Sequence, residues 1–236
     1  SHQSLIPGAM SSRISIIIPV FNEESSIGLV LDALPHDKIH EIIVVNNNST
    51  DDTARVATEH GARVVEEPRK GYGSACLKGI DELNAPDIVV FLDGDFSDFP
   101  EEIVELVNPI EKGDADFVLG SRMILPESRR ALLPQARYGN RLAVFLIKLF
   151  FNYSFTDLGP FRAIRYSSLI SIGMQDVDFG WTVEMQVKAV KNRLRIQEVP
   201  VKYRERIGVS KITGTVEGTF KAGTKIIYTI FKYLLT

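Results

Sequence analysis

Asp93 and Asp95, with only Gly94 between them, are the residues of this chain best suited to chemistry. Two hard carboxylate ligands at this spacing suit Mg²⁺ or Mn²⁺, ions that complete their shells with substrate phosphate oxygens. Gly94 leaves room for a ligand to approach the backbone. The pair follows Ile88-Val89-Val90-Phe91-Leu92, an apolar run that predicts a buried strand. In an open α/β sheet, ligands bind beyond the carboxyl ends of the strands, where this run delivers its acids. Asp-Gly is also a common turn pair, so the triplet alone does not decide.

The elements that must position these acids follow from the pattern of the rest of the chain. Ile14–Val20 predicts a strand, and Asn22 then caps a helix running to about Leu34. Glu41–Val45 is a second strand, followed by the polar string Asn46-Asn47-Asn48-Ser49-Thr50-Asp51-Asp52-Thr53 at the start of a second helix. A helix start needs one cap, so eight consecutive hydrogen-bonding residues suggest recognition of a polar ligand. Ala62–Val65 is a third strand, after which Gly71 and Gly73 open a helix with a backbone nest able to take an anion. Pro100 starts another helix, and Asp116–Leu119 is a fifth strand. Strands alternating with helices through short connections predict a mostly parallel α/β sheet covered on both faces.

The second half changes character. Arg129, Arg130, Arg137 and Arg141 lead into Leu142–Phe151, apolar apart from Lys148, which predicts a helix that is buried or lies against lipid. Asp157–Arg162 reads as a turn into a strand, Trp181–Val190 as a helix carrying Glu184, and Ile196–Tyr203 as the final strand. Thr213–Leu235 predicts a C-terminal amphipathic helix. Lys221, Lys225 and Lys232 share one side of it, and Val216, Phe220, Ile227, Ile230, Phe231 and Leu234 the other. Such a basic helix fits a membrane surface, although its stripe would equally pack on the protein's own core.

Composition sets the bounds. The 236 residues are 44% hydrophobic and 24% charged, as expected of a folded chain with a sizeable core. One cysteine, Cys76, excludes an intramolecular disulfide and any multi-cysteine metal site, and suits the cytosolic face. No apolar run reaches the roughly 18 residues of a spanning helix. Residues 1–9, ahead of Met10, read as a scar of expression. Residues 10–212 then form the catalytic domain and 213–236 the membrane-facing helix. The net charge of −3 hides an asymmetry, because residues 200–236 carry seven basic groups against two acidic ones. A basic tail on an acidic body points to an anionic partner. The tail carries no RNA-binding motif, so nucleic acid is not expected.

Ile16–Glu24, Asn48-Ser49-Thr50-Asp51 and Asp93-Gly94-Asp95 resemble family 2 glycosyltransferases of the GT-A fold. Gly120-Ser121-Arg122, Asp157–Arg162 and Arg206–Lys211 resemble the branch that makes polyprenyl-phosphate sugars, such as the dolichyl-phosphate mannose synthases. The resemblance implies nucleotide-sugar binding by Pro19, Phe21, Glu23 and Asn47, the last standing where the family commonly has Asp. It implies a metal and diphosphate site at Asp93 and Asp95, with Ser97 where the family often has Gln. It places acceptor or donor phosphates at Arg122, Arg137, Arg206, Ser210 and Lys211, and inverts the anomeric carbon. Asp157 lies near a family Asp, one residue closer to Arg162 than in the mannose synthases.

The chemistry limits the acceptor. A lipid phosphate, with a second pKa near 6, is already largely ionised and needs arginines to orient it more than a strong base. The expectation is a cytosol-facing, metal-dependent transferase. It moves a hexose from a UDP- or GDP-linked donor to a polyprenyl phosphate, peripherally on a membrane. Two alternatives remain: transfer to a hydroxyl acceptor with Glu184 or Asp157 as base, and nucleotide-sugar binding without turnover.

Overall fold

The computed structural model describes residues 11–208 and 215–236. Residues 1–9, read as a scar of expression, and the predicted phosphate ligands Ser210 and Lys211 lie outside the described residues. The strands are β1 (Ile14–Val20), β2 (Glu41–Asn46), β3 (Arg63–Glu66), β4 (Ile88–Phe91), β5 (Phe117–Ser121), β6 (Arg162–Arg165) and β7 (Ile196–Pro200). The helices are α1 (Ile27–Ala33), α2 (Thr53–Glu59), α3 (Tyr72–Asp81), α4 (Ile103–Glu111), α5 (Pro126–Ala131), α6 (Pro134–Phe151), α7 (Tyr166–Ile172), α8 (Trp181–Lys191) and α9 (Val216–Leu235).

One sheet with strand order β3-β2-β1-β4-β6-β5-β7 runs through the molecule. Strand alternation sorts its side chains. Ile16, Ile18, Val44 and Val90 face α1, α2 and α4, while Ile17, Ile43, Val89 and Phe91 face α3, α7 and α8. A third apolar cluster joins Leu119 to α6, α8 and α9 through Ala143, Ile147, Val183, Val187 and Ile230. The chain order reverses between β1 and β4, the switch point at which open α/β sheets bind ligands.

The sheet is parallel except for β6, which is antiparallel to both β4 and β5. Arg162, the first residue of β6, sits beside Phe91 and Leu119 at the carboxyl ends of its neighbours. The long connection from β5 therefore stays at the site's edge of the sheet, and α5 and α6 are carried there with it. Arg162 is wholly buried, donates to the carbonyls of Gly159 and Thr182 and to Gln186, and is depressed by that burial to about 10.

Local expectations are corrected or sharpened in three places. Asn22 caps no helix: its backbone is left-handed (φ 52), and α1 begins only at Ile27. Its Oδ1 instead accepts the Thr50 N–H at 2.7 Å, tying the exits of β1 and β2 together. The apolar helix begins earlier, at Pro134, and buries one side only: Ala143 and Ile147 are buried, whereas Phe145 and Leu149 are 59% and 61% exposed. The final helix divides its apolar stripe, burying Ile230 and leaving Phe220, Phe231 and Leu234 exposed.

Gly71 and Gly73 are required by close packing. A Cβ on Gly73 would lie 2.1 Å from the Asp176 carbonyl oxygen, and one on Gly71 the same distance from that of Val177. Gly71 also adopts φ 138, a region closed to side chains. Backbone cannot yield as a side-chain tip does, so Gly73→Ala is expected to cost about 1–3 kcal/mol or more. A thermal melt would read this as a Tm lower by several degrees, at roughly 2–4 °C per kcal/mol for a chain of this size.

Candidate active site

A cavity of about 880 Å³ opens at the carboxyl ends of β1 and β4. Pro19, Phe21, Glu23, Asn47, Gly71, Asp93, Asp95, Arg122 and Arg206 line it, so nine residues predicted from sequence come together there. Gly73, Arg137, Asp157 and Glu184 do not line it.

The two acids are held differently. Asp95 Oδ1 accepts the Ser97 N–H at 3.0 Å and its hydroxyl at 2.5 Å, leaving Oδ2 to face Arg206 Nη1 at 3.3 Å. Ser97 therefore orients Asp95. Asp93 Oδ1 accepts the Tyr72 hydroxyl at 2.8 Å. Burial, and then the charge of Asp95, push the Asp93 carboxyl well above its ordinary value. A divalent ion between the two would relieve that repulsion, so the donor set fits one. Among the described residues no cluster of three or more His, Cys, Asp or Glu side chains is arranged to hold a metal. The pair thus suits an ion completed by substrate oxygens.

Asp98 lies next along this loop, fully buried, with neither carboxylate oxygen hydrogen-bonded among the described residues. Burial, then the charges of Asp93 and Asp95, raise it well above the carboxylate range and favour the neutral acid.

Arg122 closes one wall. Its Nε and Nη2 each reach Asp157 at 2.9 Å, and its own N–H donates to the same carboxylate at 2.8 Å. Burial alone would depress this guanidinium; the charge and hydrogen bonds of Asp157 outweigh it and hold it above its usual value. Asp157 is completely buried behind Arg122 and serves as its support. It is not placed to take a proton from an acceptor.

Glu184 is also committed to structure. Its carboxylate accepts from the N–H groups of Gln175 and Asp176 at 2.9 and 2.7 Å and from the Tyr233 hydroxyl at 2.8 Å, beside Lys188. It clamps the 175–180 turn, and that turn supplies Asp178 and Phe179 to the cavity wall.

The polar string after β2 is mostly architectural. Asn46 donates to Glu66, Asn48 to the carbonyls of Glu67 and Pro68, and Asp51 accepts from Thr53. Asn47 alone reaches the cavity, and its amide is engaged with the backbone of Glu67, Arg69 and Gly71. Backbone groups of loops at a sheet edge need partners, and short polar side chains supply them.

Sequence reasoning missed Tyr72, Tyr203 and Arg204. Only the aromatic between the two glycines hinted at Tyr72. Arg204 lies 3.6 Å above the Phe96 ring and 4.0 Å from that of Phe99, and donates to the Phe96 carbonyl. Phe96 is left-handed (φ 60), a strained conformation for a bulky residue that these contacts hold in place.

An open, mostly parallel α/β sheet flanked by helices, with a carboxylate pair at its switch point, matches the GT-A fold. The Glycosyl transferase family 2 model matches residues 15–173, and the chain belongs to that family of enzymes. An uncharacterized glycosyltransferase of Mycobacterium tuberculosis is 36% identical over 210 residues, covering 89% of this chain and 94% of that protein. The UDP-N-acetylglucosamine–dolichyl-phosphate N-acetylglucosaminyltransferase of Methanococcus voltae is 30% identical over 213 residues, covering 80% of this chain and 84% of its own length. The fold matches glucosyl-3-phosphoglycerate synthase of M. tuberculosis, solved with Mn²⁺, UDP and phosphoglyceric acid. The TM-score is 0.77 at 23% identity, over 94% of this chain and 78% of that one.

Glu184→Gln is expected to lower the melting temperature while leaving turnover of the folded enzyme within a few-fold. A general base at this position would instead lose about 10²–10⁴-fold in rate. Asp157→Asn should reduce turnover together with Arg122→Lys, since both disturb the same bidentate pair. Steady-state rates and melts on the three variants separate these roles.

Proposed function

We propose that the protein is a metal-dependent, inverting hexosyltransferase that uses a UDP- or GDP-linked donor and a polyprenyl phosphate acceptor at a membrane surface. One observation carries the reading: the cavity faces the Asp93/Asp95 pair with Arg122, Arg204 and Arg206, under an apolar rim of Leu132, Leu133, Ala136 and Phe179. Acids on one wall suit a cation and its diphosphate. The Arg122 guanidinium suits a second phosphate, and the rim suits a lipid.

Asp93 and Asp95 would hold Mg²⁺ or Mn²⁺, which supplies Lewis-acid stabilisation of the departing diphosphate. Pro19, Phe21, Glu23 and Asn47 frame the nucleoside, with Gly71 beside them. Gly73 contributes through packing. Arg122, braced by Asp157, orients the acceptor phosphate for in-line attack on the anomeric carbon, so no base need remove a proton. Arg137, one turn along α6 from the rim, together with Ser210 and Lys211, would extend the phosphate site. The Methanococcus relative, which by its name joins a UDP-sugar to dolichyl phosphate, supports this acceptor class.

Asp178 favours a second reading. It lines the cavity, and burial, then the charge of Asp176, raise its carboxyl. That is the profile of a general base for a hydroxyl acceptor.

The exposed apolar residues of α6 and α9 support the membrane assignment. Phe150 of α6 and Phe231 of α9 pack with ring centroids 5.2 Å apart, and Phe145, Leu149 and Leu234 stand exposed around them. Lys221 and Lys225, paired with Glu217 and Asp176, belong to the same helix. Among the described residues no helix is long and apolar enough to cross a membrane.

Product assays with UDP- and GDP-sugars, polyprenyl phosphate and Mn²⁺ or Mg²⁺ should give a lipid-linked sugar. Asp95→Ala or EDTA should abolish it, while Asp178→Asn should preserve it. Loss of activity in Asp178→Asn with activity toward a hydroxyl acceptor would select the second reading. Anionic liposomes should float the wild type at low salt and release a Lys221/Lys225/Lys232→Glu variant, since each lysine near such a surface adds about 1 kcal/mol.

A further inference from the structure

Arg206 was expected to hold a phosphate, yet it sits against Glu23 and Asp95, at the proposed cation site itself. Its Nη2 meets Glu23 Oε1 at 2.7 Å, and its Nη1 stands 3.3 Å from Asp95 Oδ2. That oxygen is the one Ser97 leaves open, because both Ser97 hydrogen bonds go to Oδ1. The Asp95 contact is longer than the 2.7–2.9 Å of a well-formed charge-assisted bond, so the guanidinium is anchored on Glu23 and only loosely held at Asp95. Its Nε is buried with no acceptor among the described residues. A buried donor without a partner marks a position that is not the side chain's best-satisfied one.

The backbone beneath it is fixed. Tyr203 bridges to Asp98, the Arg204 N–H donates to the Ser97 carbonyl at 3.0 Å, and the Ile207 N–H donates to the Asp95 carbonyl at 3.0 Å. The segment carrying Arg206 is thus laced to the loop carrying Asp95, and Arg204 clamps it by stacking on Phe96 and Phe99. With the backbone so held, the Arg206 side chain is placed to respond when the charge around Asp95 changes.

We propose that Arg206 is the exchangeable counter-ion of the cation site: it neutralises Asp95 in the free enzyme and turns to the donor diphosphate when a divalent ion takes Asp95. This rests on the metal-dependent reading above and adds a determinant of how the donor assembles. A divalent ion arriving alone must evict a guanidinium that keeps only Glu23. An ion arriving with a diphosphate brings the anion that Arg206 then needs. Metal and diphosphate therefore bind synergistically, and a bare metal ion is held weakly. Arg206 is a positioning residue in this sense, placed on the leaving-group side of the cavity and away from the acceptor.

Mn²⁺ binding, followed by the loss of the free-ion electron paramagnetic resonance signal, tests this without any turnover. Titrations use Mn²⁺ alone, then Mn²⁺ with UDP, GDP or inorganic pyrophosphate. The wild type should bind Mn²⁺ alone weakly and gain about tenfold or more from a diphosphate, within the usual range of coupling between sites. Arg206→Met should bind Mn²⁺ alone about tenfold more tightly and lose most of that gain. Arg206→Lys, which keeps the charge but cannot bridge Glu23 and Asp95, should fall between them. Mn²⁺ affinity that is unchanged or weaker in a folded Arg206→Met protein, or undiminished synergy, would overturn the inference. Absence of Mn²⁺ binding in the wild type even with every diphosphate would instead remove the metal-dependent reading on which it stands.

Discussion

Mutual repulsion between Asp93 and Asp95 is the constraint on which the rest of this structure depends. Two carboxylates at the end of a buried strand are costly unless something opposes their charge. The protein distributes that task. Tyr72 donates to one acid, Ser97 to the other, and Arg206 stands at the remaining oxygen. Among the described residues Asp98 adds a third acid to the same loop without a hydrogen-bond partner. Only the Arg206 contact, at 3.3 Å, opposes the charge of Asp95 directly among them, so the pair suits a divalent cation.

The walls around the pair are held by residues that never face the ligand. Asp157 fixes Arg122 from behind, and Glu184 fixes the turn that carries Asp178 and Phe179. Both acids look catalytic in a linear sequence, and both are supports. Buried carboxylates with several donors are well suited to that work, because each lost donor leaves an unpaired charge. The antiparallel placement of β6 completes the arrangement by keeping the β5–β6 connection, with α5 and α6, over the mouth of the site. An apolar rim beside a charged floor is the division expected for a substrate with a lipid tail and a phosphate head.

The sequence by itself determined the layered sheet and the chemical poles of the site. Strand periodicity, the run Ile88–Leu92 and the Asp-Gly-Asp exit are local features, and local hydrophobic pattern governs which face of a strand is buried. Pro19, Phe21, Glu23 and Arg122 could be placed beside those acids because they resemble family motifs at the exits of other strands. Only the tertiary structure decided what each polar residue does. Asn47, Asp157 and Glu184 are drawn by partners 20 or more residues away, or by backbone groups of a neighbouring turn. No spacing rule encodes such partners. The same holds for Gly73, whose role depends on the Asp176 carbonyl a hundred residues on. It holds above all for Arg206, whose place at Asp95 is set by long-range hydrogen bonds between two loops. Residue type fixes what a side chain can do, but the competition among donors and acceptors in the folded chain fixes which it does.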